Sequence, residues 1–222
     1  MLTKRFFLAC LAVSSLSTAW ADESPWTYRV GVTNVAFDAS AKVYLDGHRV
    51  PGGSADASDN NALTFDIGYD ITDLWNVRFI FGVPPTTKVT GAGSLPGMQL
   101  GKIKYAPAVL TLNFNLPSLG PIRPHIGAGV NYTRIVASED TNLKSFDADH
   151  AWAPALQVGA DIDVTNNWFV SIDIRKLFLK TDASGYLGPQ EAKAKVTLDP
   201  LLTSLSYRIQ ILNRLTLDFS PN

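Results

Sequence analysis

Two arms joined by a turn decide the fold of this chain: Trp152-Ala-Pro-Ala-Leu-Gln-Val-Gly-Ala-Asp-Ile-Asp-Val164, Thr165-Asn-Asn167 and Trp168-Phe-Val-Ser-Ile-Asp-Ile-Arg175. From Leu156 onward apolar residues alternate strictly with polar or small ones in the first arm, and the second arm alternates from Val170 to Arg175. This pattern indicates strands with one apolar and one polar face. Asparagine suits the positive φ of a tight turn. Each arm exceeds the roughly 5–6 residues of an average soluble strand and matches the roughly 9–11 that cross a bilayer. The segment therefore predicts one quarter of a membrane barrel.

The N-terminal residues 1–21 are predicted to form a cleaved signal peptide. Lys4 and Arg5 precede a short apolar run, and Ala19-Trp-Ala21 matches a cleavage site. A membrane anchor is the alternative, but the run is far shorter than the about 20 residues of a spanning helix. The mature barrel then comprises residues 22–222. The single cysteine, Cys10, leaves with the signal peptide, so disulfides cannot stabilise the mature protein.

The formal net charge of the chain is −1, and this near balance gives no indication of nucleic-acid binding. No apolar run after the signal peptide is long enough for a spanning helix. Only helices and closed barrels satisfy every backbone polar group in lipid. A membrane location therefore requires a closed barrel.

Period-two alternation recurs along the chain, near residues 26–33, 63–69, 75–83, 106–114, 126–132 and 196–209. With the central hairpin this makes eight strands. Connections are short near 70–73, 116–121 and 165–167, and long near 39–60, 86–102, 138–149 and 181–194. Short turns at one end and long loops at the other are typical of outer-membrane barrels, as is an aromatic girdle, here Trp26, Tyr69, Trp75 and Trp168. We predict an all-β protein, an eight-stranded antiparallel transmembrane β-barrel with both chain ends periplasmic.

The polar faces of these strands carry charges of both signs. They are predicted to form a charged plug inside the barrel, with arginines paired to aspartates: Arg29, Asp66, Arg78, Asp161, Asp163, Asp173, Arg175 and Arg208. The strands of a soluble lipocalin-like binding barrel also alternate apolar and polar residues. In such a barrel the charged face would be the solvated outer surface. Strand length, the aromatic girdle and the alternating loop lengths favour the membrane.

The chain resembles the OmpW/AlkL family of small outer-membrane barrels. The matching pieces are Leu63-Thr-Phe-Asp-Ile67, Phe81-Gly-Val-Pro84, Arg123-Pro-His-Ile-Gly-Ala-Gly-Val-Asn-Tyr132, Ser145-Phe146, Trp152-Ala-Pro-Ala-Leu-Gln-Val-Gly159, Asn167-Trp-Phe-Val170 and Leu198-Asp-Pro200. The resemblance implies the outer membrane of a Gram-negative bacterium, with membrane lipid and the barrel-assembly machinery as partners. It also implies passive uptake of small hydrophobic molecules, which leave through a gap in the wall.

The C-terminal end departs from the family, whose members usually finish at an aromatic residue. Here Ile209 stands in that place, and residues 210–222 follow as a C-terminal extension.

Along each strand every second residue faces the lumen, which we call inward parity. It places a set of apolar residues in the lumen, many toward the long-loop end: Val35, Phe37, Tyr105, Val109, Phe169, Leu177 and Leu179. An apolar pocket above a charged plug would admit hydrophobic solutes and block a straight water path. The alternative is that these residues simply pack the barrel. The resemblance adds Trp152 to the lumen. Strict alternation instead places Trp152 with Leu156 on the lipid side, unless a bulge at Pro154 resets the register.

Pro84 and Pro85 interrupt a strand pattern. Proline supplies no N–H to a ladder, so two in succession interrupt pairing with a neighbouring strand. We interpret them as a lateral opening, and the alternative is that they end the strand.

An enzyme is disfavoured, because no nucleophile motif lies near His48, His125 or His150 and no metal-ligand or cofactor spacing appears. A structural or adhesive barrel without transport stays open as an alternative function.

Overall fold

A computed structural model describes residues 24–95, 97–165 and 168–209. The predicted signal peptide, the turn residues Asn166 and Asn167 and the extension 210–222 lie outside these ranges, as does the side chain of Trp168. Within them no helix is long and apolar enough to cross a membrane.

Eight long antiparallel strands form a closed ring. They are β1 (Trp26–Ala36), β5 (Asn60–Asp70), β6 (Trp75–Gly82), β8 (Gln99–Asn115), β9 (Ile122–Asp140), β11 (Ala151–Thr165), β12 (Trp168–Leu177) and β15 (Leu201–Ile209). Around the ring the order is β1, β5, β6, β8, β9, β11, β12 and β15, and β15 pairs again with β1. The prediction of an eight-stranded antiparallel barrel is confirmed.

The sequence pattern predicted plain loops for the long connections. The structure shows that these connections contain further strands. They are β2 (Ser40–Leu45), β3 (His48–Arg49), β4 (Gly53–Ala57), β7 (Thr86–Gly93), β10 (Lys144–Ala148), β13 (Lys180–Leu187) and β14 (Gln190–Thr197). β4 and β7 extend the barrel sheet beside β8, while β10, β13, β14, β2 and β3 form a second sheet. Their pairings join segments distant in the chain, such as Ala194 with Val43, so local alternation could not reveal them.

The two faces of the ring differ in polarity in the way the alternation predicted. Large apolar side chains such as Leu110, Val130 and Ile172 are exposed on the outside. Arg78, Asp173 and Arg175 are buried inside. At the short-turn end Trp26 packs edge-on against Tyr69, and Trp75 against Phe114, with ring centroids 4.9 and 5.0 Å apart. Aromatic pairs at this level are typical of a membrane interface.

Candidate functional site in the barrel lumen

The lower half of the lumen, toward the short turns, is filled by a charged plug centred on Arg78. Its Nε donates to Asp66 Oδ2 at 2.8 Å, and its Nη2 donates to Asp173 Oδ2 at 2.8 Å. Arg175 Nη2 lies 3.2 Å from the same Asp173 oxygen. All four side chains are almost completely buried. Buried charges cost several kcal/mol unless they are paired, and here each arginine meets a carboxylate.

Neighbouring polar groups complete the plug. Arg29 Nη2 donates to Asp161 Oδ2 at 2.9 Å, and its Nε donates to Ser171 Oγ at 3.0 Å. Gln157 Nε2 donates to Asp173 Oδ1 at 2.7 Å, while His125 Nε2 lies 2.9 Å from that oxygen. These contacts join side chains of β1, β9, β11 and β12 across the lumen at this level.

The plug also depends on a close approach at Gly159, which faces Asp173 across the β11–β12 ladder. A Cβ atom there would meet the Asp173 carboxylate and would lie 2.7 Å from His125 Nε2. Only glycine leaves room for both side chains.

At the short-turn end of the lumen, two predicted residues have other partners than expected. Asp163 accepts from Arg123 Nη2 at 2.6 Å, and Arg208 lies over the ring of Phe169, 5.3 Å from its centroid, rather than against an aspartate among the described residues. Phe169 therefore lies at the short-turn end. It was predicted as an apolar lumen residue, and its parity is inward. Its position in β12 is next to the turn, so it does not line the apolar cavity of the upper half.

The upper half of the lumen contains an apolar cavity, here called the inner pocket. Of the predicted residues it is lined by Val35, Phe37, Tyr105, Leu177 and Leu179. Val109 lies just beneath, in a buried apolar layer with Ile80 and Leu202. The cavity encloses about 860 Å³ including its open mouth. Leu177 and Leu179 follow Arg175 on the same face, so apolar lining begins directly above the charges.

Trp152 lies outside the barrel and not in the lumen. Its side chain is 70% exposed and packs on the outer face against Tyr132, with ring centroids 4.7 Å apart. The β11–β9 pairing runs without interruption from Ala151 to Ile162, so Pro154 causes no register shift. The lumen placement implied by the resemblance was therefore wrong for Trp152, and strict alternation was right.

A second apolar cavity, the outer chamber, lies between the two sheets at the end of the barrel that carries the long connections. Its walls include Val43, Leu45, Leu100, Leu143 and Ala192. It shares part of its lining with the inner pocket: Ala55, Val89, Phe146, Ala183 and Val196. Phe146 is the largest of these shared side chains and is buried. Its ring therefore stands at the boundary between the two cavities.

The chain holds Phe146 in place in two ways. A Cβ at Gly101 would collide with the Phe146 ring, so glycine creates the space in which the ring packs. The Asp140 carboxylate accepts the backbone N–H groups of Phe146 and Ser145, each at 2.9 Å. Those two hydrogen bonds, that from Phe146 first, lower the pKa of Asp140 below its usual value.

The backbone pairing between β5 and the strand beside it ends next to Pro84 and Pro85, which lie between β6 and β7. The β5–β6 ladder ends at Thr64 and Gly82, followed by one bond from Val83 N–H to Leu63 O at 2.9 Å. The next residues of β5, 60–62, pair with β1 on one side. Among the described residues they make no backbone hydrogen bond to Pro84 or Pro85 on the other side. A small cavity lies behind this break, lined in part by Ala62, Val83, Pro85, Val109 and Leu202.

Several residues of this site were not singled out from the sequence. Gln157, Ser171 and His125 share the inward parity of the plug and could have been included on that signal. Phe146, Ala55 and Ile103 come from segments interpreted as loops, where no alternation indicated their direction.

A closed ring that is apolar outside, aromatic at its interface and charged within defines a small outer-membrane β-barrel. The model of the OmpW family matches residues 25–210, and the chain belongs to this family. It is 80% identical over 199 residues to the dibenzothiophene metabolism operon protein PahQ of Pseudomonas aeruginosa, covering 90% of this chain and 92% of that protein. It is 32% identical over 206 residues to outer membrane protein AlkL of Ectopseudomonas oleovorans, covering 87% and 90%.

A solved structure shows the same architecture. The solid-state NMR structure of AlkL in DMPC lipid bilayers aligns with a TM-score of 0.67 and 28% identity over 91% of this chain and 99% of that one. The protein is therefore located in the outer membrane of a Gram-negative bacterium.

Proposed function

We propose that the protein is a passive channel for small hydrophobic molecules, which enter from the extracellular side and leave sideways into the membrane. The observation that carries this proposal is an apolar pocket closed from below by a paired, buried charge plug. Apolar solutes gain free energy by leaving water for such a pocket, about 25 cal/mol per Å² of surface removed.

The exit follows from the relative cost of two routes. To pass straight through the barrel, a solute would have to separate ion pairs such as Arg78–Asp173, and an unpaired buried charge costs about 3–5 kcal/mol. Lipid tails, in contrast, are as apolar as the side chains of the pocket. The break beside Pro84 and Pro85 supplies the sideways route.

The solute class is supported by the relatives. A protein sharing four fifths of its aligned residues with this chain is described as belonging to dibenzothiophene metabolism. Planar aromatic hydrocarbons and sulfur heterocycles are therefore the first candidates, and alkane-like molecules are next. The pocket is lined by aliphatic and aromatic side chains that suit either class.

The channel acts without catalysis in this proposal. His125, the histidine inside the barrel, is held between Asp173 and Arg78 and serves the plug. The barrel-assembly machinery is proposed as the partner that inserts the chain, as for other barrels of the outer membrane.

Uptake of dibenzothiophene by intact cells with and without the protein tests the proposal. We expect faster uptake from dilute solution when the protein is present, whereas uptake of a charged solute of similar size stays unchanged. Equal rates for dibenzothiophene would contradict transport and would favour a structural or adhesive barrel.

Replacing both prolines with valine, Pro84→Val and Pro85→Val, tests the lateral exit. Valine can donate its N–H, so strand pairing can extend and narrow the break. Uptake is expected to fall while heat-dependent gel migration, which reports folding, is unchanged. Pro124→Val is the matched control, because Pro124 lies in β9 at the short-turn end, away from the pocket. Undiminished uptake in the double variant would exclude this exit.

A further inference from the structure

Four cations share the outer face of β7, β8 and β9 above the apolar band of the barrel. Lys88 lies directly opposite Lys102, and Arg134 lies opposite Ala106. Lys102, Lys104 and Ala106 alternate with Ile103 and Tyr105, which line the inner pocket. Lys88, Lys102, Lys104 and Arg134 are therefore directed outward, and we call them the rim cluster.

The rim cluster is poorly neutralised by the protein. Lys102 Nζ forms an ion pair with Glu139 Oε2 at 3.1 Å. Lys88, Lys104 and Arg134 have no carboxylate partner in the described part of the chain. Like charges placed directly opposite on a sheet are destabilising, as Lys88 and Lys102 are. An anion from outside the protein would remove this repulsion.

The level of the cluster identifies the source of that anion. Tyr132 and Trp152 pack against each other on the outer face, and amphipathic aromatic rings lie at the level of lipid headgroups. Below Tyr132 the outward residues of β9 are apolar, among them Val130 and Ile126. Arg134 follows Tyr132 by two residues, roughly 7 Å farther along the strand. The cations thus begin where the headgroup phosphates of the outer leaflet lie.

We propose that the rim cluster binds the phosphate groups of phosphorylated lipid headgroups in the outer leaflet. Ammonium and guanidinium groups form strong charge-assisted hydrogen bonds with phosphate. The site is separate from the proposed transport function, because its side chains face away from the lumen. It anchors the extended β7–β9 sheet against the membrane surface at a fixed height.

A second pair of opposed lysines provides a matched control. Lys42 and Lys195 face each other in the extracellular sheet, but Asp182 lies opposite Lys195 on its other side. That pair is on the extension and has a carboxylate beside it. It therefore carries two positive charges, as the pair Lys88 and Lys102 does, without the position at the membrane surface.

Lipid retention by the purified, refolded barrel tests the proposal. The probes are a diphosphorylated lipid A and the same glycolipid without phosphates, each mixed into phospholipid vesicles and then measured by native mass spectrometry. One cation near a charged lipid surface contributes roughly fivefold in affinity. The triple variant Lys88→Gln, Lys104→Gln and Arg134→Gln should therefore bind the phosphorylated lipid roughly two orders of magnitude more weakly.

The controls separate this result from misfolding and from general charge. The variant Lys42→Gln with Lys195→Gln should retain the phosphorylated lipid like the parent, and both variants should keep heat-dependent gel migration. The parent should prefer the phosphorylated lipid, and raised salt should weaken that preference. The proposal is overturned if the parent retains both lipids equally, if the folded triple variant matches the parent, or if the control pair loses as much. If the triple variant does not fold, each single substitution is tested in the same way, and no loss in any of them also overturns it.

Discussion

The two halves of the lumen are built on the same strands and differ in almost every physical respect. On β12, Asp173 and Arg175 point into the plug, and Leu177, the next inward residue, already lines the inner pocket. The lower half is held by charge-assisted hydrogen bonds between buried ions. The upper half consists of apolar side chains around unfilled space.

The difference separates a half of the lumen that is filled by paired charges from a half that keeps an apolar cavity. Eight strands leave an interior wide enough for side chains or one small ligand. In the lower half the side chains fill that interior and satisfy one another. In the upper half the side chains do not fill the interior, and an apolar cavity is left between them. The substitutions below change the plug, then the inner pocket, and then the residues that separate the pocket from the outer chamber.

The largest effect is expected from Asp173→Ala in the plug. The change leaves Arg78 and Arg175 without their shared carboxylate, and breaking a buried ion pair costs about 3–5 kcal/mol. Urea unfolding of the vesicle-embedded protein measures this loss. Asp182→Ala, at an exposed position, serves as the control and should change the free energy of unfolding by about 0.5 kcal/mol or less. Equal effects of the two changes would contradict a stabilising plug.

In the pocket, Leu179→Asn should reduce transport more than stability. When an apolar solute enters, the introduced asparagine amide has to give up its water without gaining a hydrogen bond. That loss costs about 1–3 kcal/mol, so we expect uptake of dibenzothiophene by Leu179→Asn to fall about tenfold. Leu179→Met keeps volume and polarity and should behave like the parent. If both variants transport equally, Leu179 only packs the barrel.

At the boundary between the cavities, Phe146→Ala should act in the opposite direction. Removing the ring joins the outer chamber to the inner pocket, so uptake of three-ring aromatics should rise severalfold and that of one-ring solutes less. Leu143→Ala is the control, because it enlarges the outer chamber alone. A similar rise in both variants would mean that Phe146 does not separate the cavities.

The smallest effect is expected from Asp140→Asn. The neutral amide accepts the N–H groups of Ser145 and Phe146 less strongly, so proteolysis between β9 and β10 should become faster while the barrel stays folded. Glu139→Gln, next to it, should leave the rate unchanged.

The same carboxylate predicts a pH dependence. Because the folded-state pKa of Asp140 is lowered, its contribution is complete above about pH 4 and is lost as the pH falls through the folded-state value. Protection from an acid-active protease should therefore decrease in that range for the parent and not for Asp140→Asn. A parallel decrease in both would assign the effect to other groups.

Much of the candidate site follows from parity alone. Alternation places Arg29, Asp66 and Arg175 inside, and low dielectric then requires that they pair. Alternation does not show how far along the barrel a residue lies, so it grouped Phe169, which lies next to the short turn, with the other apolar residues of the lumen. It also gave the right side for Trp152, where the family resemblance did not.

The sequence by itself determined the all-β class, the eight-strand ring and the inward and outward faces, because a period of two is a local property of each strand. Only the tertiary structure decided the second sheet, the outer chamber and the position of Phe146. These depend on pairings such as Ala194 with Val43, between segments about 150 residues apart in the chain. Local residue patterns describe a strand's own faces and carry no information on which distant strand will lie beside it.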